Sequence, residues 1–320
     1  MQNKIAILIP YFGTMPHWFD YFLLSCSKNP EIDWFFFTDC LKSEFLYPNT
    51  RFIPMSLKEF NLLATNKLGF PIQIRHAYKL CELKPAYGLL FEEYLEGYIF
   101  WGYGDIDLVY GNIIRFFPEN WETTYDAIAS DSEFIPGHLC VLKNSPEIKR
   151  LFEHIQSYRK VFQSQLYHGL DEIFHPVKVI PAPKFLSVSK EIKIGYHLML
   201  SHFIRLIKKT ILYKFLKNRA KEVQNSPNLP RDFTSMVKML SSKGKIHVLF
   251  KTFYQCDLML HEQNMKNWKI DWTEGVLINS DTRKELMYFH FSRSKNSRKF
   301  RVNKFNPSLQ SFSITKHGIQ

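Results

Sequence analysis

Asp105 and Asp107 stand two residues apart at the end of an aromatic run, Tyr98–Tyr103, and behind a Gly-x-Gly break at Gly102 and Gly104. On an extended backbone, residues i and i+2 point the same way, so the two carboxylates face one spot. Two oxygen ligands at one spot, with coordination positions left over, suit Mg²⁺ or Mn²⁺ that also holds substrate phosphates. This is the only Asp-x-Asp in a chain with 12 Asp. The alternative is a solvated turn in which one Asp caps the next segment.

Such a pair needs a scaffold that ends strands at one edge. Lys4–Pro10 is a continuous run of apolar strand formers, as in a strand buried on both faces of a parallel sheet. His17–Cys26 has helical spacing, Trp34–Thr38 is a second buried strand, and Arg51–Met55 a third. Leu57–Leu63 reads as a short helix, Lys79–Leu95 as a long one, and Tyr98–Tyr103 as the fourth strand. This β-α-β-β-α-β order predicts an open α/β sheet, and ligands bind such sheets at the carboxyl ends of the strands. Further strands are expected at Ala127–Ser130, His138–Leu142, Gly275–Asn279 and Met287–Phe291. Helical periodicity runs over Pro146–Phe162 and Tyr196–Lys221, Gln224–Arg231 reads as a loop, and the tail after Lys295 is polar and basic.

The 320 residues carry 42 Lys+Arg against 30 Asp+Glu, a net charge of +12. Residues 1–190 are near neutral, with 18 basic and 21 acidic residues, whereas residues 191–320 hold 24 basic and 9 acidic. The expected organisation is a nucleotide- and metal-binding core over 1–190. A basic helical region over 191–320 completes the site on the acceptor or membrane side, within one continuous catalytic domain. The five scattered Cys, without a C-x-x-C, argue against a disulfide scaffold or a cysteine zinc site and fit a reducing cytoplasm. Neither a signal peptide nor an 18-residue apolar span is visible. Dinucleotide, P-loop, zinc-protease and nucleophile-elbow motifs are all missing.

The runs Ile9–Gly13 (IPYFG), Phe36–Asp39 (FFTD), Tyr78–Gly88 (YKLCELKPAYG) and Trp101–Asp107 (WGYGDID) resemble an uncharacterised bacterial glycosyltransferase-like family of polysaccharide loci, with the GT-A fold. The resemblance covers residues 4–145 and resumes over 275–295; residues 190–270 match nothing in it. It implies a GT-A-like sheet, a divalent metal on Asp105 and Asp107, and a nucleoside-diphosphate sugar, most simply a UDP-sugar, as donor. Tyr288–Lys295 resembles a late His-Phe…Lys motif of retaining enzymes, in which His290 is a further metal ligand and Lys295, or Arg293, reaches the diphosphate. The resemblance puts the base and ribose at Tyr11, Phe12 and Gly13 and at Asp39, for which an Asx turn is the alternative. Lys79 and Lys84 would meet diphosphate or sugar, or else form a solvated helix face. Asp171 and Glu172 resemble the acidic segment near the acceptor, where an inverting enzyme needs a general base. His138, at the start of a strand, reads as structural, with contact to donor or acceptor as the alternative.

The expected function is metal-dependent transfer of a sugar to a hydroxyl of a glycan or lipid-linked glycan at the bacterial surface. The expected setting is cytoplasmic, with a peripheral contact to the inner face of the membrane through the charges of 205–251 and 298–304. A non-catalytic basic module on an anionic membrane or nucleic acid is the alternative, and a nucleotidyltransferase the third reading. Nucleic acid is the least expected partner, since the basic residues of 196–221 do not form one stripe.

Overall fold

The computed structural model describes residues 4–40, 45–173, 230–262 and 267–320. Its main sheet has seven strands: β1 (Ile5–Tyr11), β2 (Ile32–Thr38), β3 (Thr50–Pro54), β4 (Phe100–Gly104), then β6 (Ala127–Ala129), β7 (Leu139–Lys143) and β8 (Val248–Phe250), with β5 (Leu108–Tyr110) lying outside it. The order is β3-β2-β1-β4-β7-β6-β8, and only β7 runs antiparallel to its neighbours. The open, mostly parallel α/β sheet is therefore the architecture expected.

Alternation along the strands builds two cores. Ala6 and Leu8 of β1 and Phe35 and Phe37 of β2 face one layer, where helix α2 (Leu57–Leu68), the helical run Ala77–Leu90 and the helix Phe233–Ser242 pack. Ile5, Ile7 and Ile9 with Trp34 and Phe36 face the other, against α1 (Phe19–Ser27). Helices on both faces leave no polar side for these strands, which is why they read as unbroken apolar runs. Glycine is required where β4 meets β7: a Cβ on Gly102 would lie 2.4 Å from the Cys140 carbonyl oxygen.

Two smaller sheets complete the described chain. One joins β5, β12 (Tyr288–His290) and β9 (Tyr254–Cys256) in the order β5-β12-β9. The other contains β10 (Lys269–Thr273), β11 (Val276–Asn279), β13 (Arg301–Val302), β14 (Ser311–Thr315) and β15 (Gly318–Ile319), ordered β11-β10-β14-β15-β13. It packs Ile270, Trp272, Phe312 and Ile314 against Tyr21 and Leu24 of α1.

The described C-terminal residues hold the helices Phe233–Ser242 and Asp257–Glu262 and several strands, of which β10 and β14 escape notice because only alternate residues are apolar (Ile270, Trp272; Phe312, Ile314). Two expectations are corrected here. The expected helix Lys79–Leu95 is a 3₁₀ run over Ala77–Ala86, one α-turn over Tyr87–Leu90 and a second 3₁₀ turn over Glu92–Tyr94. Pro85 cannot donate to an α-helical ladder, and the run instead buries the charged residues Lys79, Glu82 and Lys84. The periodicity of 146–162 is divided among three short segments, Pro146–Lys149, Leu151–His154 and Tyr158–Gln163. The expected helix Tyr196–Lys221, and the loop after it up to residue 229, lie outside the described residues. No described helix is long and apolar enough to cross a membrane.

Gly102→Ala should therefore lower the unfolding free energy in urea by about 1–3 kcal/mol, since backbone carbonyl and Cβ cannot both keep their places.

Candidate active site

Strand β4 ends at Gly104, and its last contact with β7 is the Asp105 amide, which donates to the His138 carbonyl at 3.2 Å. The chain then bends through Ile106, whose carbonyl accepts from the Trp18 indole at 2.9 Å, and re-enters as β5. Pairing of β5 with β12 sets His290 opposite Leu108, and the Phe291 amide donates to the Asp107 carbonyl at 3.2 Å. This register delivers His290 to the Asp-x-Asp from 183 residues away. One ligand atom each of Asp105, Asp107 and His290 lie within 4.8 Å of one another.

Two lysines neutralise the pair. Lys84 Nζ donates to Asp105 Oδ1 at 2.5 Å and to the Gly137 carbonyl at 2.7 Å. Lys295 Nζ and His290 Nε2 both meet Asp107 Oδ2, the imidazole at 3.2 Å. Burial opposes the charge on Asp107, but His290 and Lys295 outweigh it and hold the carboxyl well below its ordinary range. Lys84 is likewise desolvated, yet Asp105 keeps its ammonium protonated well above the usual lysine value. His138 stays neutral because burial, His290 and Lys84 all push its pKa down.

The opposite wall is the segment Tyr167–Glu172. Asp171 is buried and accepts from the Tyr167 hydroxyl at 3.0 Å. Burial, then the neighbouring Glu172, pushes its carboxyl well above the usual range, so it tends to keep its proton. Glu172 accepts from the Gly137 amide at 2.6 Å, and a Cβ at 137 would meet Asp171 Oδ2 at 2.8 Å, so a larger residue there would push on the two carboxyl groups. Between the walls lies a cavity of about 560 Å³, which Tyr11, Phe12, Tyr78, Lys84, His138 and Lys295 line together with the carboxylates.

Several expected site residues lie elsewhere. The Gly13 amide donates to Asp39 Oδ1 at 3.0 Å, so Asp39 pins the end of β1 and borders a separate cleft with Thr38 and Phe52. The Lys79 ammonium spends its charge on the carbonyls of Val161 and Leu166, both at 2.7 Å. Of the two late cations, Lys295 reaches the cavity, whereas Arg293 faces a neighbouring groove.

A family model described as a family of unknown function (DUF6625) matches residues 7–320. The chain belongs to that family. No curated protein matches it. Among solved structures, the galactosyltransferase LgtC in complex with donor and acceptor sugar analogues is similar at 13% identity, over 50% of this chain and 66% of that one, with a TM-score of 0.31. The glycosyltransferase GlyE of Streptococcus pneumoniae TIGR4 is similar at 11% identity, over 80% of this chain and 68% of that one, with a TM-score of 0.30. The aligned part thus spans just under two thirds of the galactosyltransferase. At such scores neither neighbour assigns a role to any residue here.

For this member of the family the donor set itself tests a metal. Asp105, Asp107 and His290 each bring a ligand atom to one spot on the cavity wall, a mixed oxygen and nitrogen donor set. Two carboxylates and an imidazole suit Mn²⁺, and Mg²⁺ with less preference. The residues fit.

The residue missed by sequence reasoning is Glu82. Fully buried, it accepts from the amides of His168, Gly169 (2.9 Å) and Leu170 (3.1 Å), and so holds the segment that carries Asp171. Its signal was present: Lys79, Glu82 and Lys84 are charges embedded among Leu80, Cys81, Leu83 and Pro85. Glu82→Gln turns an amide donor towards three backbone donors and should cost about 2–3 kcal/mol in denaturant unfolding. Burial also lowers the Lys79 pKa from 10.5 to about 8. The unfolded chain then binds more protons between those values, so stability contributed by this group rises with pH across that window. Denaturation from about pH 8 to 10 should show a steeper rise in stability for the wild type than for Lys79→Met; equal slopes would refute it.

Proposed function

We propose that this protein is a metal-dependent glycosyltransferase that moves a sugar from a nucleoside-diphosphate sugar, a UDP-sugar first, to a hydroxyl of a bacterial surface glycan. The observation that carries the reading is the meeting of Asp105, Asp107 and His290 with Lys84 and Lys295 beside the carboxyl ends of β1 and β4. In an open α/β sheet that edge is where nucleotides bind.

In this reading Asp105, Asp107 and His290 hold Mn²⁺ or Mg²⁺, which offsets the charge of the departing diphosphate. Lys84 and Lys295 add fixed positive charge at the same place, in a cavity where low dielectric makes it count. Tyr11 and Phe12 offer an aromatic wall to the nucleoside. Asp171 and Glu172 face the sugar and acceptor: Glu172 takes up a proton from the attacking hydroxyl if the reaction inverts, and Asp171, held protonated, donates a hydrogen bond to a sugar oxygen. Residues 1–190 supply most of the donor side, and residues 191–320 complete the site with His290 and Lys295 and face the acceptor at the inner face of the cytoplasmic membrane.

The test is calorimetry of the full chain against UDP- and GDP-sugars with and without Mn²⁺, paired with assays of hydrolysis and transfer. Binding that requires the metal, and activity reduced at least 10²-fold by Asp107→Ala, is the expected result. If no nucleotide sugar binds with either metal, the reading fails.

A further inference from the structure

Beside the reaction cavity lies a second concavity of about 690 Å³ that no step of the proposed reaction uses. Its wall carries Arg293, Lys299, Lys316, His261 and His317 around the buried ring of Trp268. The single carboxylate in it, Asp257, is buried and occupied by the amides of Arg293, at 3.0 and 3.2 Å, and Ser294. Asp257 therefore shapes the loop instead of pairing with a cation. Arg293 and Lys299 are exposed, and among the described residues neither forms an ion pair. Lys316 is steadied by the Asn267 side chain at 2.9 Å.

The two concavities are neighbours that share one wall residue. Asn296 lines both, and the 3₁₀ turn Ser294–Asn296 sends Lys295 to one side and leaves Arg293 on the other. A donor diphosphate belongs with Asp105, Asp107 and Lys295, so Arg293 and Lys299 are left for a different anion on the same substrate path. Guanidinium and ammonium groups with free donors recognise phosphate oxygens.

We propose that this groove is a phosphate subsite for the acceptor: it takes a phosphate ester or pyrophosphate carried by the acceptor while the acceptor's hydroxyl reaches past Asn296 into the cavity. The assignment of the ligand to the acceptor rests on the glycosyltransferase reading; the phosphate chemistry of the groove does not. The phosphate could belong to a soluble glycosyl or prenyl phosphate or to a lipid headgroup, and the chemistry that recognises it is the same.

The experiment uses the full chain in EDTA, so that no metal contributes. Inorganic pyrophosphate is titrated into wild type, Arg293→Gln/Lys299→Gln, and the charge-keeping Arg293→Lys/Lys299→Arg. Loss of two charge-assisted contacts should weaken binding at least tenfold in the Gln pair, while the charge-keeping pair stays within a few-fold of wild type. Both changes are on the surface, and equal melting temperatures confirm that the fold is kept. Geranyl pyrophosphate in solution and co-sedimentation with phosphatidylglycerol vesicles then separate the sources. Variant-sensitive binding of either upholds the subsite and names its source; identical behaviour of the Gln pair and the wild type towards all three probes overturns it. UDP binding with Mn²⁺, measured on the same proteins after exchange into EDTA-free buffer, reports separately on the cavity: if it fails while the pyrophosphate result holds, the glycosyltransferase reading falls and the phosphate site stands.

Discussion

Three buried charges on one 3₁₀ run hold the candidate site together. Lys79 ties the carbonyls of Val161 and Leu166, Glu82 gathers the amides of His168–Leu170, and Lys84 bridges Asp105 to the Gly137 carbonyl. A charge removed from water is tolerated only when its hydrogen-bonding capacity is met, so each residue dictates where another segment must lie. The wall with Asp171, the carboxylate of Asp105 and the turn before β7 are thereby fixed against one short element. An α-helix would not serve as well, because residues 79 and 82 eclipse one another only at three residues per turn.

The second constraint is strand register. His290 reaches Asp107 because β12 pairs with β5, and a slip of one residue would turn the imidazole to the opposite face and into the core of Trp268 and Phe289. Packing on that far face is dense: Phe289 and Phe291 sit with Trp272 and Phe312 in the layer between α1 and the five-stranded sheet. The small C-terminal sheet thus contributes to the site without touching it, since its burial against α1 holds β12 in place.

Much of this was legible in the sequence. The unbroken apolar runs at Ile5–Pro10 and Trp34–Thr38 declare strands covered on both faces, and the Asp-x-Asp at the end of a third announces the ligand edge. What was not legible depends on contacts between distant residues. Nothing local distinguishes Lys79, held on two carbonyls, from Lys84, held on Asp105, although both looked like sites for a diphosphate. Asp39 accepts from the Gly13 amide at the end of the neighbouring strand, a long-range contact that a local turn signal does not carry. The strands of the tail hid because half their residues are polar, as befits a sheet with one wet face.

The uneven charge of the chain takes on a different meaning in this light. Summed over residues 191–320 it looks like a diffuse field suited to a membrane, yet Arg293 and Lys295, two residues apart, serve different surfaces. Their separation comes from Asp257, which binds the amides of Arg293 and Ser294 and starts the tight turn that throws alternate side chains to opposite sides. A carboxylate in a basic groove would ordinarily cancel one of its cations. Here it binds backbone amides and gives the loop its shape, while Arg293, Lys299 and Lys316 outnumber it and leave the groove positive. One buried acid thereby sets both the position of Lys295 beside Asp107 and that of Arg293 in the groove beyond it, and the two surfaces are coupled through a single turn of chain.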